Sequence, residues 1–352
     1  MKALVLSGGK GTRLRPITHT SAKQLVPIAN KPILFYGLEF IAQAGIKEVG
    51  IIVGDTKREI MNAAGDGSRF GLKITYIEQE APLGLAHAVK IAENFINGDD
   101  FVMYLGDNLL RDGIISLVNE FNSTKPNAQI MLVKVDNPSA FGVAELKNGK
   151  VVRLVEKPKV PPSDLALAGV YIFDKNIFTA VNSIKPSGRG ELEITDAIQY
   201  LVEKGMNVKP CIVAGWWKDT GKLEDLLEAN RLVLETMEQK ISGKVDDKSK
   251  IEGRVVLEKG SEVVNSIIRG PAIIGENTKV INSYIGPFSA IYFNCNIENS
   301  EIEHTIILEN SKVANVARIE DSLIGQNVNI IKSGKKPQAY RIMVGDSSSI
   351  EL

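Results

Sequence analysis

The sequence predicts an α/β domain with a mostly parallel β-sheet, followed by a parallel β-solenoid. Two observations support this prediction. Short β-rich runs alternate with helical segments up to about residue 240, and aliphatic residues then recur with a period of 17 residues. Alternating strands and helices are typical of a parallel sheet that is covered on both faces. A short fixed period is typical of stacked coils, because each coil buries the same face against its neighbour.

Four buried strands and three helices are predicted before residue 106. The strands are Lys2–Leu6, Glu48–Val53, Lys73–Ile77 and Phe101–Leu105, and the helices are Ile33–Ala44, Thr56–Ala64 and Gly84–Phe95. A further helical stretch, Leu223–Gln239, follows near the end of the domain. Ligands of such sheets bind beyond the carboxyl ends of the strands. Ser7-Gly8-Gly9 and Gly106-Asp107-Asn108 occupy these positions, so we expect a binding site there.

Three aliphatic series with the 17-residue period predict the solenoid. They are Ile251, Ile268, Ile285, Ile302 and Ile319; Leu257, Ile274, Ile291 and Leu308; and Val263, Val280 and Ile297, which weakens at Ala314. Three inward residues per period indicate a three-sided coil with Asn or Gly at its corners. The pattern resembles hexapeptide-repeat domains, and this resemblance implies a left-handed parallel β-helix.

These patterns predict how the chain divides into domains. We expect an α/β domain at residues 1–240, a polar linker at 241–250, the β-helix at 251–332 and a C-terminal tail at 333–352. The tail leaves the repeat, so we expect it to cap the open end of the solenoid.

Composition excludes several classes of protein. Lys plus Arg equals Asp plus Glu at 42 each, so no global field attracts nucleic acid or anionic lipid. The 2 Cys residues are too few for a disulfide framework or a thiolate metal site. The first apolar run is too short for a signal peptide, and residues 33–46 are too short to cross a bilayer. We therefore expect a cytoplasmic protein without nucleic-acid or membrane partners; the flat solenoid sides make a homo-oligomer a further expectation.

A glycine-rich turn, Leu6–Pro16, follows the first strand. Backbone N–H groups can approach a phosphate closely in such a turn; the candidates are Gly8, Gly9, Gly11 and Thr12. Arg13 can add a forked donor to phosphate oxygens. A tight structural turn is the alternative. The turn lacks the Gly-Lys-Ser/Thr ending of a P-loop, and Leu14 occupies the third glycine position of a dinucleotide fingerprint.

An ordered series of motifs extends over the rest of the domain. It comprises Lys23-Gln24-Leu25-Val26-Pro27, Glu78-Gln79, Pro82-Leu83-Gly84, Leu105-Gly106-Asp107-Asn108, Phe141-Gly142-Val143, Glu156-Lys157-Pro158, Arg189–Asp196 and Trp217–Gly221. The series resembles the family of glucose-1-phosphate thymidylyltransferases, and the solenoid resembles the long form of that family. The resemblance implies a Rossmann-like nucleotidyltransferase domain that makes dTDP-glucose and pyrophosphate from dTTP and glucose 1-phosphate.

The resemblance also implies roles for individual residues. Arg13 and Lys23 correspond to cations that contact the triphosphate, and Gln79 and Gly84 to contacts with the pyrimidine base. Sugar-phosphate contacts are implied for Gly142, Glu156, Lys157, Gly169 and Arg189. Arg13, Lys23, Lys157 and Arg189 are the catalytic candidates, because in-line attack on the α-phosphorus needs charge neutralisation and no protein nucleophile. Ala22 stands where the family usually has Pro.

Asp107 and Asp219 are the candidate metal ligands. Each lies in a polar turn after an apolar strand, and two converging carboxylates would hold a hard divalent cation, Mg²⁺. The alternative for Asp107 is an N-cap for a helix near Arg111. The 3 His residues, at positions 19, 87 and 304, show no metal-ligand spacing and are interpreted as structural.

Three other functions compete with this interpretation. A uridylyltransferase would use UTP in place of dTTP, but Lys23-Gln24-Leu25 looks more like the thymidylyl pattern. A bifunctional nucleotidyl- and acyltransferase would need His304 as its base. A non-catalytic assembly subunit would be expected to have lost at least one of the polar site residues, all of which are present.

Overall fold

The computed structural model describes residues 1–9, 11–19, 21–332, 334 and 341–351. The described residues form two compact units. The first lies within Met1–Lys10, Ala22–Leu25 and Ile33–Asp219, and the second within Gly11–Ser21, Val26–Pro32 and Thr220–Leu352. Two short N-terminal segments therefore belong to the same compact unit as the solenoid. The domain limits that the sequence predicts at residues 240 and 251 stay a prediction.

Eight α-helices and thirteen strands precede the solenoid among the described residues. The helices are α1 Ile33–Gln43, α2 Lys57–Ala64, α3 Leu85–Ile91, α4 Glu93–Ile96, α5 Ile115–Thr124, α6 Asn176–Ser183, α7 Ile194–Glu203 and α8 Leu223–Leu234. The strands are β1 Lys2–Leu6, β2 Pro27–Ile28, β3 Lys31–Pro32, β4 Glu48–Val53, β5 Lys73–Glu78, β6 Phe101–Leu105, β7 Asn108–Leu110, β8 Ala128–Lys134, β9 Gly142–Lys147, β10 Lys150–Glu156, β11 Leu165–Phe173, β12 Val208–Ile212 and β13 Trp217–Asp219.

The predicted elements of the α/β domain are confirmed with small shifts. Strands β1, β4 and β6 have the predicted limits, and β5 is one residue longer. The helix predicted at Gly84–Phe95 is divided at Ala92, whose ψ of 0° departs from the helical value. The helix predicted at Leu223–Gln239 ends at Leu234.

The first unit contains a nine-stranded sheet. Its main path has the order β10-β9-β11-β6-β1-β4-β5, and β8 pairs with both β11 and β12. The neighbours β6, β1, β4 and β5 are parallel, whereas β11 runs antiparallel to β6 and β8. The α/β fold class is confirmed, and the sheet is mixed because β11 runs antiparallel to β6, β8 and β9, and β10 runs antiparallel to β9.

Both faces of this sheet are covered, as buried parallel strands require. Leu4 and Leu6 of β1 point into one core cluster, which includes residues of α3, α6 and α7. Ala3 and Val5 point into the other, which includes residues of α1, α2 and α5. The alternation explains why the strand reads as a continuous apolar run in the sequence. No helix among the described residues is both long enough and apolar enough to span a bilayer.

The second unit contains the solenoid, which confirms the predicted parallel β-helix. Its strands are β14 Lys240–Ile241, β15 Lys244–Val245, β16 Lys250–Glu252, β17 Val255–Leu257, β18 Glu262–Val264, β19 Ile267–Arg269, β20 Ala272–Ile274, β21 Lys279–Ile281, β22 Tyr284–Ile285, β23 Ser289–Ile291, β24 Asn296–Glu298, β25 Glu301–Ile302, β26 Ile306–Ile307, β27 Lys312–Ala314, β28 Leu323–Ile324 and β29 Asn329–Ile331. They form three parallel sheets, one on each side of the coil. The three sheets fit the left-handed β-helix that the sequence predicts.

Two of the predicted repeat positions are wrong. Ile291 pairs with Ile307 instead of Leu308, and Ile297 pairs with Val313 instead of Ala314. The corner that follows Ile302 is one residue shorter than the corresponding corner of the preceding coil. Paired residues on two of the three sides are therefore 16 residues apart in the sequence instead of 17. The series then weakens at Ala314 only because the inward position has moved to Val313, which is fully buried.

The predicted linker, 241–250, contains strands. Lys240–Ile241 pairs with Val256–Leu257, and Lys244–Val245 pairs with Glu262–Val263. The repeat is hard to recognise there because this stretch is mostly exposed and polar. In the predicted tail, residues 333, 335–340 and 352 lie outside the described residues, so the capping role stays a prediction.

Candidate active site

The carboxyl ends of β1 and β6 lie side by side in the first unit. The backbone N–H of Gly106 donates to the carbonyl of Leu6 at 2.9 Å, which places the two polar turns next to each other. A Cβ atom at Gly8 would lie 3.5 Å from Oε1 of Gln79, and one at Gly9 would lie 3.9 Å from Nε2 of Gln24. The sequence-predicted turn and the base-contact candidate are therefore neighbours at this edge of the sheet.

Lys23 is a buried lysine whose partner, Asp107, is partly buried. It begins a 3-10 turn, Lys23–Leu25, and only 9% of the residue is exposed. Its Nζ donates to the carboxylate of Asp107, which lies 84 residues further along the chain. Asn108 Nδ2 donates to the other Asp107 oxygen at 3.0 Å. Lys23 is therefore not a solvated surface lysine. Its ammonium group is held at the carboxyl end of β6.

A short antiparallel ladder places Asp219 opposite the residue that follows Asp107. Strands β7 and β13 pair so that Asp219 lies opposite Asn108, the residue next to Asp107. Trp217 Nε1 donates to Asn108 Oδ1 at 2.7 Å and so ties the two strands together. The N-cap alternative for Asp107 is wrong, because the residues that follow it form a strand and not a helix.

The donor set at this point fits a magnesium ion that keeps other ligands. Among the described residues, no three or more His, Cys, Asp or Glu side chains come together as a closed metal cage. Mg²⁺ does not need one, since it is usually held by one or two carboxylates together with water and substrate phosphates. The Lys23 ammonium already occupies one side of Asp107, which indicates that this carboxylate attracts cations.

The side-chain amide of Gln79 has a fixed orientation. Its Nε2 donates to the carbonyl of Gly84 at 3.2 Å and to Nδ1 of His87 at 3.0 Å. A carbonyl can only accept, so the atom that faces Gly84 is the amide nitrogen. Partial burial, and then the charge of Lys90, lower the pKa of His87, which favours the neutral ring that can accept this bond. Oε1 of Gln79 is thereby directed towards Gly8.

Gly84 is required by its surroundings. Its φ is 101°, which L-residues rarely adopt, and a Cβ atom would lie 2.4 Å from the carbonyl oxygen of Leu192. The backbone N–H of Leu192 in turn donates to the carbonyl of Leu83 at 2.8 Å. The loop before α3 is thus fixed against the segment that precedes α7.

A second polar cluster is formed by Glu156 and Arg189. Arg189 donates to Glu193 at 2.9 Å and to Glu156 at 3.2 Å, and Thr195 Oγ1 donates to Glu156 at 3.1 Å. Burial, followed by the nearby charge of Glu193, raises the pKa of Glu156, while Lys157 and Arg189 oppose the rise. The structure therefore brings Glu156 and Arg189 together, with Arg189 surrounded by carboxylates.

The remaining sugar-phosphate candidates lie next to these two groups. A Cβ atom on Gly142 would lie 3.0 Å from Oε2 of Glu156, and one on Gly169 would lie 3.0 Å from Nδ2 of Asn108. Gly169 also has a φ of 71°. Lys157 is exposed, and its backbone N–H donates to the carbonyl of Phe141 at 3.0 Å. These glycines let the Glu156 cluster and the β7–β13 ladder approach the sheet closely.

Gly11, Thr12 and Arg13 belong to the other compact unit. Thr12–Leu14 forms a 3-10 turn, Gly11 has a φ of 62°, and Arg13 is exposed. Thr18 Oγ1 donates to the carbonyl of Gly11 at 2.7 Å and fixes the turn. Their predicted roles towards the triphosphate stay predictions.

Sequence reasoning missed three residues that hold the candidates in place. They are Glu59, which accepts from the backbone of Ala22; His87, which accepts from Gln79; and Glu193, which accepts from Arg189. His87 lies eight residues after Gln79 with a helix start between them, so only the fold shows their contact. Glu193 lies four residues after Arg189, but this segment precedes α7 and is not helical, so the helical spacing rule does not predict the ion pair.

Comparisons with known proteins find relatives that match the whole chain. A glucose-1-phosphate thymidylyltransferase of Streptomyces antibioticus is 56% identical over 100% of this chain and 99% of that protein. The low-salt glycan biosynthesis nucleotidyltransferase Agl11 of Haloferax volcanii is 48% identical over the full length of both chains. A crystal structure from Bacillus anthracis, assigned as a glucose-1-phosphate thymidylyltransferase and solved with sucrose, has a TM-score of 0.64 and 36% identity, covering 68% of this chain and 98% of that chain.

The family model described as nucleotidyl transferase matches residues 2–236. That range includes every residue of the candidate site, from Gly8 to Asp219. The chain therefore belongs to the nucleotidyl transferase family.

Proposed function

We propose that the protein transfers a thymidylyl group from dTTP to glucose 1-phosphate, and that dTDP-glucose and pyrophosphate are its products. The observation that carries the proposal is the partly buried Lys23–Asp107 pair at the sheet edge where Gly8 and Gln79 meet. It supplies a fixed cation and a carboxylate beside a turn that can receive a phosphate chain. The similarity to a thymidylyltransferase over the whole chain supports the same substrates.

The pyrimidine base is assigned to Gln79 and Gly84. With Nε2 held by Gly84 and His87, Oε1 of Gln79 is left to accept from the N3–H group of the base. Thymine and uracil share that group, so UTP is the expected second substrate. Adenine lacks this N–H donor and would leave the partly buried Gln79 amide unpaired. Guanine has an N1–H group, but it is larger than the one ring that the site is proposed to hold.

The triphosphate is assigned to the glycine-rich turn and two cations. Backbone N–H groups of Gly8, Gly9, Gly11 and Thr12 would contact its oxygens, and Lys23 and Arg13 would oppose the charge that grows on the α-phosphate. Asp107 and Asp219 would hold a divalent cation, Mg²⁺, which neutralises phosphate charge when it is bound. Lys23, Asp107 and Asp219 are the residues whose relative placement supports this assignment.

The sugar phosphate is assigned to the Glu156 cluster. Glu156 would accept from sugar hydroxyl groups, Lys157 and Arg189 would neutralise the phosphate, and Gly142 and Gly169 would leave room for the ring. A phosphate oxygen of the sugar attacks the α-phosphorus, the bond to the β-phosphate bridging oxygen breaks, and its electron pair leaves with pyrophosphate. The protein's contribution to this displacement is positioning and charge neutralisation.

The geometry of His304 argues against a second, acyl-transferring activity. Its Nδ1 contacts the Asp321 carboxylate, and its Nε2 is buried without a hydrogen-bond partner among the described residues. A general base must reach the proton that it abstracts, either directly or through one water. Neither nitrogen of His304 meets this requirement here.

A matrix of substrates tests the proposal. Pyrophosphate release is measured with dTTP, UTP, ATP and GTP against glucose 1-phosphate, and the sugar nucleotide is identified by mass spectrometry. We expect dTTP to give the highest kcat/KM, with UTP lower by about 10-fold to 100-fold, because one methyl group is worth about 1–3 kcal/mol. A preference for ATP or GTP would contradict the base assignment.

A further inference from the structure

The backbone just before Lys23 is held by a carboxylate of a distant helix. Ala22 is fully buried, and its N–H donates to Oε2 of Glu59 at 2.5 Å. Glu59 lies in the first turn of α2, 37 residues further along the chain. It also lines a cavity of about 530 Å³ together with residues 54–58 and 78–80. The contact therefore links the Lys23 turn to the first turn of α2.

This bond satisfies the backbone N–H of Ala22, which is fully buried. A buried backbone N–H without a partner costs about 1–3 kcal/mol, so the Ala22 amide needs an acceptor. The carbonyl of the same residue accepts from the backbone N–H of Leu25 at 2.9 Å and closes the 3-10 turn. Both polar backbone groups of Ala22 are thus used to fix the turn that carries Lys23.

The hydrogen bond to Glu59 is needed because residue 22 is alanine. A proline in this position would fix φ through its ring and would have no N–H to satisfy. Alanine leaves φ free and adds a donor, so the restriction on the backbone must come from a contact. Glu59 supplies that contact, and a charge-assisted bond is about twice as strong as one between neutral groups.

Lys23 is consequently held at two points. Its Nζ contacts Asp107 at the end of β6, and its backbone is anchored through Ala22 by Glu59 of α2. We propose that Glu59 is a positioning residue for Lys23, which sets the distance between the lysine ammonium and the reacting phosphate. The inference rests on the proposed function of Lys23, and Glu59 itself does not touch the substrates.

Three substitutions separate positioning from simple structural support. Glu59→Ala removes the acceptor, Glu59→Gln keeps an acceptor without the charge, and Ala22→Pro removes the donor while fixing φ. Glu80→Ala is the matched control, because Glu80 is an exposed carboxylate that lines the same cavity. The full-length protein is used throughout, and thermal unfolding is recorded for each variant.

We expect Glu59→Ala to lower kcat by about 10-fold with a smaller change in KM for dTTP, since a misplacement of about 1 Å can cost roughly 100-fold in rate. Glu59→Gln should stay within about 3-fold of the wild type, because the lost charge assistance is worth only part of the bond. The double variant Ala22→Pro with Glu59→Ala should recover most of the loss. Glu80→Ala should leave kcat unchanged.

Hydrogen–deuterium exchange gives a second readout that needs no activity. The peptide that contains Ala22–Leu25 should exchange faster in Glu59→Ala and not in Glu80→Ala. A wild-type kcat in Glu59→Ala, or a loss that neither Glu59→Gln nor the double variant relieves, would overturn the inference. Failure of the wild type to release pyrophosphate would instead contradict the proposed function, while the exchange experiment would still test the contact.

Discussion

The candidate site and the solenoid differ in the sequence separation of the residues that contact one another. In the site, partners come from unrelated positions: Lys23 meets Asp107 84 residues away, and Arg189 meets Glu156 33 residues away. In the solenoid, partners recur at 17 residues, as in the bonds from the backbone of Ser283 to Ser266 and of Ser300 to Ser283. A repeat therefore specifies its own neighbours, whereas the site depends on the topology of the whole sheet.

The two regions also differ in what they bury. The solenoid core consists of aliphatic side chains such as Leu257, Ile274 and Ile291, which are stacked one above another. The site places charged groups such as Lys23 and Asp107 in partly buried positions, where electrostatic effects are stronger than in water. Substitutions should therefore change the rate of reaction in one region and the free energy of unfolding in the other.

The largest expected effect is on the rate, in the site. Replacing Asp107 by Ala removes a proposed metal ligand and the partner of Lys23, so we expect kcat/KM to fall by roughly 100-fold or more. Asp219→Ala should behave similarly, because Asp219 lies opposite Asn108. Steady-state pyrophosphate release as a function of Mg²⁺ concentration is the measurement. Full activity of either variant at saturating substrate and metal would contradict the metal assignment.

A core substitution in the solenoid should lower the free energy of unfolding and leave the rate of reaction largely unchanged. Ile274→Ala removes a fully buried side chain, so we expect the free energy of unfolding of the second unit to fall by about 2–5 kcal/mol. Denaturant unfolding measures the change, and kcat is measured at a temperature where the variant is folded. A large loss of kcat in the folded variant would show that the solenoid core and the reaction are coupled.

A substitution at a corner of the solenoid should lower the free energy of unfolding by a smaller amount. Asn282 has a φ of 48° and accepts from Asn265 Nδ2 at 2.8 Å. Asn282→Ala should cost about 1–2 kcal/mol, since alanine lacks the short polar side chain that lets asparagine adopt this left-handed conformation, and Asn282→Gly should cost less. Thermal unfolding of the two variants distinguishes strain from the lost hydrogen bond: equal losses would mean that the bond dominates.

The smallest expected effect is a pH dependence of base recognition. Because the pKa of His87 is lowered, its ring stays neutral through neutral pH and becomes a donor only as the pH falls through this lowered pKa. It would then face the Gln79 amide donor, so kcat/KM for dTTP should fall in acid by roughly 3-fold, the value of one neutral hydrogen bond. His87→Gln provides an acceptor at every pH.

The pH profile of the wild type must be compared with that of His87→Gln, because substrate phosphates also titrate, with a second pKa near 6. Glu156, whose pKa is raised, also titrates on the acid side. Both contributions are common to the wild type and His87→Gln, so the ratio of the two profiles isolates the histidine. A ratio that does not change with pH would contradict the role of His87.

The sequence predicts the strands and helices that have a regular pattern of apolar residues, and the motifs that members of a family share. Strands β1, β4 and β6 were predictable because they are short apolar runs bounded by turns. The fixed period predicts Leu308 and not Ile307, because it cannot reveal a corner that is one residue shorter. Both residues are aliphatic, so composition gave no warning.

The site was predictable as a set of residues and not as a set of contacts. Motifs identified Lys23 and Asp107 separately, but their ion pair depends on the order of β1 and β6 in the sheet. Glu59 and His87 carry no motif, because an acceptor for one backbone or amide N–H can come from many residue types. Such supporting residues become visible only when the chain is folded.

The central claim is that this site acts by position and charge, without a protein nucleophile. The stereochemical course at the α-phosphorus tests it most directly. One diastereomer of dTTP with sulfur at the α-phosphate is converted with glucose 1-phosphate, and the configuration of the product is assigned by phosphorus NMR. A single in-line displacement predicts inversion. Retention would require two displacements through a covalent nucleotidyl-protein and would contradict this account.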